Sequence, residues 1–150
     1  MVYIAIVLAV FSADMMLKRY VEENLGAQEE RQYLNGNVHV RKVHNHGMLL
    51  GAFKDKPKTV RRVTGTVLIV AAVRLITAVF SKKKERRAGK LALAFIVGGA
   101  LSNWFDHFHQ GYVVDYVNIK TPVRFLKKIY FNLADFFILA GALIAAMFDR

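Results

Sequence analysis

The chain has no cysteine, only two prolines and only three serines in 150 residues. Without cysteine there can be no disulfide, no thiolate metal site and no cysteine nucleophile. The prolines, Pro57 and Pro122, both fall between long apolar runs, so no run is broken from within. None of the serines, Ser12, Ser81 and Ser102, sits in a G-x-S-x-G-like elbow, which argues against a serine protease. There is no H-E-x-x-H. The pairs His44-x-His46 and His107-x-His109 lack a third ligand at helical spacing, so they read as interfacial hydrogen-bonding groups and no metal is expected. Acids are scarce, 11 against 22 Lys and Arg, for a net charge of +11. In a soluble chain that excess would point to nucleic acid. Here much of it lies in short loops between apolar runs, where topology and lipid headgroups account for it, and no nucleic-acid partner is expected.

What is present is apolar residue in long clusters: 55% of the chain is hydrophobic and the mean hydropathy is +0.27. This composition predicts an all-α membrane protein in one domain, residues 1–150. Four runs can cross a bilayer, roughly 2–19, 60–80, 88–106 and 131–148. They must be helical, because backbone groups in lipid have to be satisfied within the segment. The N-terminal MVYIAIVLAVFSAD lacks a basic n-region and reads as a retained first span rather than a cleaved signal. Residues 82–90 hold six basic residues and one acidic, which marks that loop as cytoplasmic. Both termini are then cytoplasmic, and the loops at 20–59 and 107–130 are outside, although Lys54, Lys56, Lys58, Arg61 and Arg62 make the outer side basic too. In the first outer loop Asn35-Gly36 is a turn signal, and Val38 and Val40 alternate with His39 and Arg41. A small β-hairpin over the outer face is expected.

Four aspartates stand where carboxylates are costly, in or at the ends of apolar runs: Asp14, Asp106, Asp115 and Asp135. Followed through the topology, all four come out at the outer membrane face, with Asp115 in the outer loop. Asp115 with Asp135 can form a dyad in which one carboxyl holds a proton and the other activates water. The alternative is two separate capping or hydrogen-bonding aspartates. Asp14 and Lys18 are i,i+4 and read first as a structural pair. Asn103 and Asp106, one turn apart, either cap the third span or position a dyad member. Trp104, Phe105, Tyr112 and Tyr116 read as interfacial belt residues. Gly98, Gly99, Ala100, Gly141, Ala142, Ala145 and Ala146 read as close-packing positions between helices.

These motifs resemble signal peptidase II, the lipoprotein signal peptidase of bacteria, over nearly the whole chain. Asp14-x-x-x-Lys18 is similar to the family's first-span motif. Asn45-x-Gly47 followed by Gly51-Ala52-Phe53 is similar to its asparagine–glycine motif. Gly98-Gly99-Ala100 with Asn103, Asp106, Gly111, Val114 and Asp115 follows the third-span motif, and Phe131-Asn132-Leu133-Ala134-Asp135 with Gly141 the fourth. The resemblance implies a four-helix membrane bundle with an extracytoplasmic β-cradle and an aspartyl endopeptidase without a cofactor. Its substrate would be a prolipoprotein, cut before a diacylglyceryl-modified cysteine. It implies Asp115 and Asp135 as the catalytic pair, with Asp14, Lys18, Asn45, Gly47, Asn103, Asp106, His107 and Asn132 supporting the site or binding substrate. It further implies a monomer among membrane lipids of the bacterial plasma (inner) membrane. The departures are His107 where the family usually has arginine, Ser102 where glycine is usual, and Met48-Leu49-Leu50 where small residues and phenylalanine are usual. His107 motivates an alternative, a non-catalytic relative that binds lipidated peptides. A proton or ion carrier is disfavoured, because no aspartate lies mid-span to form a relay.

Overall fold

The structure is a computed structural model that describes residues 1–47, 53–81, 87–124 and 126–148. The basic run at 82–86, Met48-Leu49-Leu50 and Gly51-Ala52 lie outside the described residues. Each expected apolar run is a helix: α1 Val2–Asn24, α2 Pro57–Phe80, α3 Arg87–His109 and α4 Leu133–Phe148. Pro57, expected between spans, instead opens α2, where its missing N–H is harmless and its fixed φ suits the first turn. Helix α1 runs five residues past the expected end at 19, because Tyr20–Asn24 carries no Gly or Pro to stop it.

The outer chain segments form a three-stranded antiparallel sheet rather than a hairpin alone: β1 Glu30–Tyr33, β2 Val38–Asn45 and β3 Val113–Ile119, in that order. The β1–β2 turn holds Leu34, Asn35 and Gly36 at φ of 51°, 56° and 76°, which is what the Asn-Gly pair permits. Strand β3 was expected to be loop. Its segment VVDYVNI is buried almost throughout, so it shows no alternation of apolar and polar residues to announce a strand. A bulge between Val40 and Val43 shifts the β2–β3 register, so that Asp115 faces Val43 and Val113 faces Asn45.

Helix α3 is the hub, packed on α1, α2 and α4. Its seam with α4 depends on glycine. A Cβ on Gly99 would stand 2.6 Å from the Ala134 carbonyl oxygen, and one on Gly141 would stand 2.6 Å from that of Ala92. Val21 on α1 packs with Val114 and Tyr116 and so seats β3 on the helical body. Helices α2 and α3 are the two among the described residues long and apolar enough to cross a membrane on their own. Helix α1 has the length, but Asp14, Lys18 and Arg19 interrupt it. Helix α4 is strongly apolar but only 16 residues long, about 24 Å.

Candidate active site

The start of α4 shows why the site forms where it does. Phe131 exchanges backbone hydrogen bonds with Val117 of β3, Phe131 N to Val117 O at 2.8 Å and Val117 N to Phe131 O at 2.9 Å. This bridge pins the chain beside Asp115 two residues before α4 begins. The first three amides of the helix then need acceptors. Leu133 N donates to the Tyr116 hydroxyl at 3.1 Å, Ala134 N to Asp14 Oδ1 at 3.0 Å, and Asp135 N to Asn132 Oδ1 at 3.0 Å. Asp135 Oδ2 returns the last bond by accepting from Asn132 N at 3.0 Å, a reciprocal cap between Asn132 and the third helical residue. Tyr116 is therefore a cap and not the belt aromatic its type suggested. Burial pushes its pKa up, so the hydroxyl stays a phenol.

Asn132 has a second role. Its side-chain Nδ2 donates to Asp115 Oδ1 at 2.7 Å and to Asn103 Oδ1 at 3.1 Å. One residue thus holds both expected dyad members, Asp115 by its amide side chain and Asp135 by its backbone. Asp115 Oδ2 accepts from Asn45 Nδ2 at 2.9 Å, and Asn45 is oriented by accepting Gly47 N at 3.1 Å in a tight turn. Asp135 Oδ1 accepts from Asn103 Nδ2 at 2.9 Å. Each carboxylate oxygen of the pair thereby accepts one neutral N–H, and among the described residues no cation pairs with either.

Behind this pair lies a second one. The Lys18 ammonium meets Asp14 Oδ2 at 2.7 Å, Asp106 Oδ2 at 2.9 Å and Asn103 Oδ1 at 2.8 Å. Because an ammonium can only donate, Asn103 must present its oxygen to Lys18 and its Nδ2 to Asp135. Ser102 Oγ donates to Asp14 Oδ2 at 2.6 Å and stands 3.3 Å from Lys18 Nζ. Asp14, Ser102 and Asn132 are 0% exposed, and Lys18 is 2% exposed. In the sequence Ser102 stands out only as a poor nucleophile candidate and a departure from the family pattern; the fold places it between Asp14 and Lys18.

The structure brings Asp14, Lys18, Asn45, Gly47, Asn103, Asp106, Asp115, Asn132 and Asp135 into one connected network. His107, on the same helix turn as Asp106, is buried beside it. Of the other histidines, His44 pairs with Glu22 at 2.6 Å and stacks on Tyr112, His109 stacks on Phe105, and His44 and His46 line the cavity beside Asp115. Asp106 turns to Lys18 rather than to a helix cap.

Burial first, and then the charge of Asp135, push the Asp115 pKa up to about 7. Near neutral pH a carboxyl so placed can hold a proton while its partner stays ionised. A bridged carboxyl pair sharing one proton is equipped for acid–base attack of water on an amide.

A helical body under a small sheet is the fold shared with solved bacterial membrane enzymes. One solved by the in meso method superposes with a TM-score of 0.83 at 19% identity, covering 97% of this chain and 85% of its own. A second gives 0.79 at 18% identity, covering 97% and 90%. The family model for signal peptidase (SPase) II matches residues 6–148, and the chain belongs to that family. Curated relatives named lipoprotein signal peptidase include that of Caldicellulosiruptor bescii, 34% identical over 96% of this chain and 87% of its own. That of Halothermothrix orenii is 31% identical over 99% and 94%, and that of Moorella thermoacetica 30% over 96% and 89%.

Proposed function

We propose that this chain works by an aspartyl mechanism, with Asp115 and Asp135 as its catalytic residues. As a signal peptidase II, it removes signal peptides from prolipoproteins. The cut falls before a diacylglyceryl-modified cysteine. Asp115, whose pKa is raised to about 7, holds the shared proton. Asp135, left as carboxylate, draws a proton from water as the water attacks the scissile carbonyl carbon. Asp115 gives its proton to the carbonyl oxygen, forming a gem-diol. Asp135 then passes the proton it took from water to the amide nitrogen, the C–N bond breaks to release the cysteine amine, and Asp115 recovers its proton from a gem-diol hydroxyl as the new carboxyl forms. The observation that carries this reading is the Asn132 bridge, which holds one carboxylate by its side chain and the other by its backbone.

The same reading gives a single peptidase domain over residues 1–150 with four spans in the bacterial plasma membrane and both termini cytoplasmic. The protein acts as a monomer among membrane lipids. Exposed Val63, Val67, Ile69, Val70, Val73, Ile76 and Phe80 make most of α2 a lipid-facing surface. Helices α1 and α4 are then carried across with α3, their polar groups facing the bundle interior. The sheet and the dyad lie at the outer edge, at the depth where a lipidated cysteine leaves the bilayer. Lipid chains remote from the bond anchor the peptide and align it with the dyad. Nothing in the geometry favours the non-catalytic reading, since both carboxylates are in place.

The test is purified protein in detergent with a diacylglyceryl-modified lipobox peptide, beside Asp115→Asn and Asp135→Asn. Cleavage before the modified cysteine by the parent and by neither variant is expected. Cleavage by either variant at the parent rate would sink the dyad assignment.

A further inference from the structure

Asp115 opens onto a cavity of about 460 Å³ that lies on the sheet side of the site, away from the helical body. Val43, Asn45 and Gly47 line one wall, and Lys54, Lys128 and Tyr130 line another. Tyr130 also borders a second cavity, of about 870 Å³, whose lining includes Lys120, Lys127, Asn118 and Gln32. Tyr130 borders both cavities, so they are neighbours, and taken together they run from Asp115 over the sheet. Among the described residues lining either cavity, Asp115 is the single acid.

The charges along this path are not neutralised from within. Lys42 and His44, on the neighbouring strand, are both engaged by Glu22. By contrast, Lys54, Lys120, Lys127 and Lys128 have no carboxylate within 4 Å among the described residues, and Asp55, next along the chain from Lys54, forms no ion pair with it. Arg41 stands against the Tyr130 hydroxyl and adds a cation at the junction, and the nearest acid there, Glu30, is taken by His39 at 2.7 Å. A path of cations without internal partners, beginning at a peptidase carboxyl, is complementary to an acidic chain.

We propose that this path is a specificity subsite for the mature side of the substrate, and that it favours acidic residues just after the modified cysteine. The inference rests on the proposed function and extends it to sequence preference. The signal helix occupies the membrane, so the chain beyond the cleaved bond must leave on the sheet side, where the cavity opens. A cavity of about 460 Å³ is about 8 Å across, room for two to three extended residues at ~3.3 Å each. The residues just after the modified cysteine then lie in the cavity that Lys54 and Lys128 line.

The test compares three diacylglyceryl lipobox peptides that differ only at the second and third mature positions: Asp-Asp, Ser-Ser and Lys-Lys. Cleavage is followed in neutral detergent micelles at low salt. We expect kcat/KM to fall about fivefold from the acidic to the basic peptide, and the ratio to shrink as salt is raised. Lys54→Glu with Lys128→Glu should invert the order, each ratio being read within the variant. Equal rates for all three peptides with the parent would overturn the subsite and leave the peptidase assignment standing. Failure to cut even the Ser-Ser peptide would overturn both. A rise on adding anionic lipid that is the same for all three peptides, with no dependence on peptide charge, would assign the lysines to lipid headgroups and overturn the subsite.

Discussion

Two pairs of aspartates share one hydrogen-bonded network here, and only one of them has a cation between its members. Asp14 and Asp106 are joined by the Lys18 ammonium at 2.7 and 2.9 Å. Asp115 and Asp135 are joined by Asn132, an amide, which can orient carboxylates but cannot neutralise them. In the first pair the ammonium stands between the carboxylates and offsets their repulsion. The second has no such charge between its members, and Asp115 is pushed up to about 7. Burial raises a carboxyl in either place, and the counter-charge, present in one pair and absent from the other, then separates a pair that holds the bundle together from a pair that can exchange a proton at neutral pH. The pairs are also linked: Asn103 receives Lys18 on its oxygen and gives its nitrogen to Asp135, so the neutralised pair sets the geometry of the other.

The largest effect should come from breaking the unneutralised pair. Asp115→Asn or Asp135→Asn should each lower kcat/KM about 10⁴-fold in the lipobox peptide assay. Thermal unfolding in detergent should be close to that of the parent, because the change is nearly isosteric and removes a repulsion. A variant that lost activity by unfolding would erase the contrast with the other pair.

Breaking the neutralised pair should act the other way round. Lys18→Met strands Asp14 and Asp106 in a buried site, and removing one partner of such a cluster costs about 3–5 kcal/mol. A large drop in unfolding temperature is expected, with activity falling because Asn103 loses the donor that orients it. Unchanged stability would mean that Lys18 is not the neutralising element.

Asn132→Ala removes the bridge and the helix cap together. The cap is worth about 1 kcal/mol of stability. Activity should drop by roughly 10²-fold, since both carboxylates lose a positioning donor or a fixed backbone. The comparison of stability loss with activity loss is the readout, and a loss confined to stability would remove Asn132 from the dyad.

The pH profile sharpens the same contrast. The acid must be protonated to act, so kcat/KM should decline as pH rises through about 7. The Asn45 hydrogen bond lowers the Asp115 pKa. Asn45→Ala withdraws that stabilisation of the charged form, so the alkaline limb should move to higher pH. A limb that moved down, or stayed in place, would show that Asp115 is not the group titrating.

How far these pairs could be read from the chain depended on whether the relevant contact was local. Asp14 and Lys18 are one turn apart on one helix, and the spacing alone predicts their meeting. The hairpin followed from Asn35-Gly36, and the helices from apolar runs. The contact of Lys18 with Asp106 spans 88 positions and leaves no periodic trace. Strand β3 escaped because it is buried on both faces, so Asp115 looked like a loop residue. Tyr116 and Ser102 were typed by chemistry that each could have elsewhere, an interfacial aromatic and a weak nucleophile. Their roles come from the α4 N-terminus and the Asp14 carboxylate, partners that folding alone brings to them.

Ser102 offers the smallest and most discriminating test. Its hydroxyl touches only the neutralised pair, donating to Asp14 at 2.6 Å while Lys18 stands 3.3 Å away. Beside its hydrogen bond to Ser102, the ammonium keeps ion pairs with Asp14 and Asp106 and its hydrogen bond to Asn103, all within 2.9 Å. Losing the hydroxyl therefore costs Lys18 little, and Asp14 Oδ2 keeps the ammonium. Ser102→Ala should lower stability by about 1 kcal/mol, the worth of one hydrogen bond to a charged group less its desolvation. It should change kcat/KM by less than about twofold and leave the alkaline limb in place. If the limb shifted while stability held, the hydroxyl would be acting on the dyad through Lys18 and Asn103, and the two pairs would be a single titrating unit.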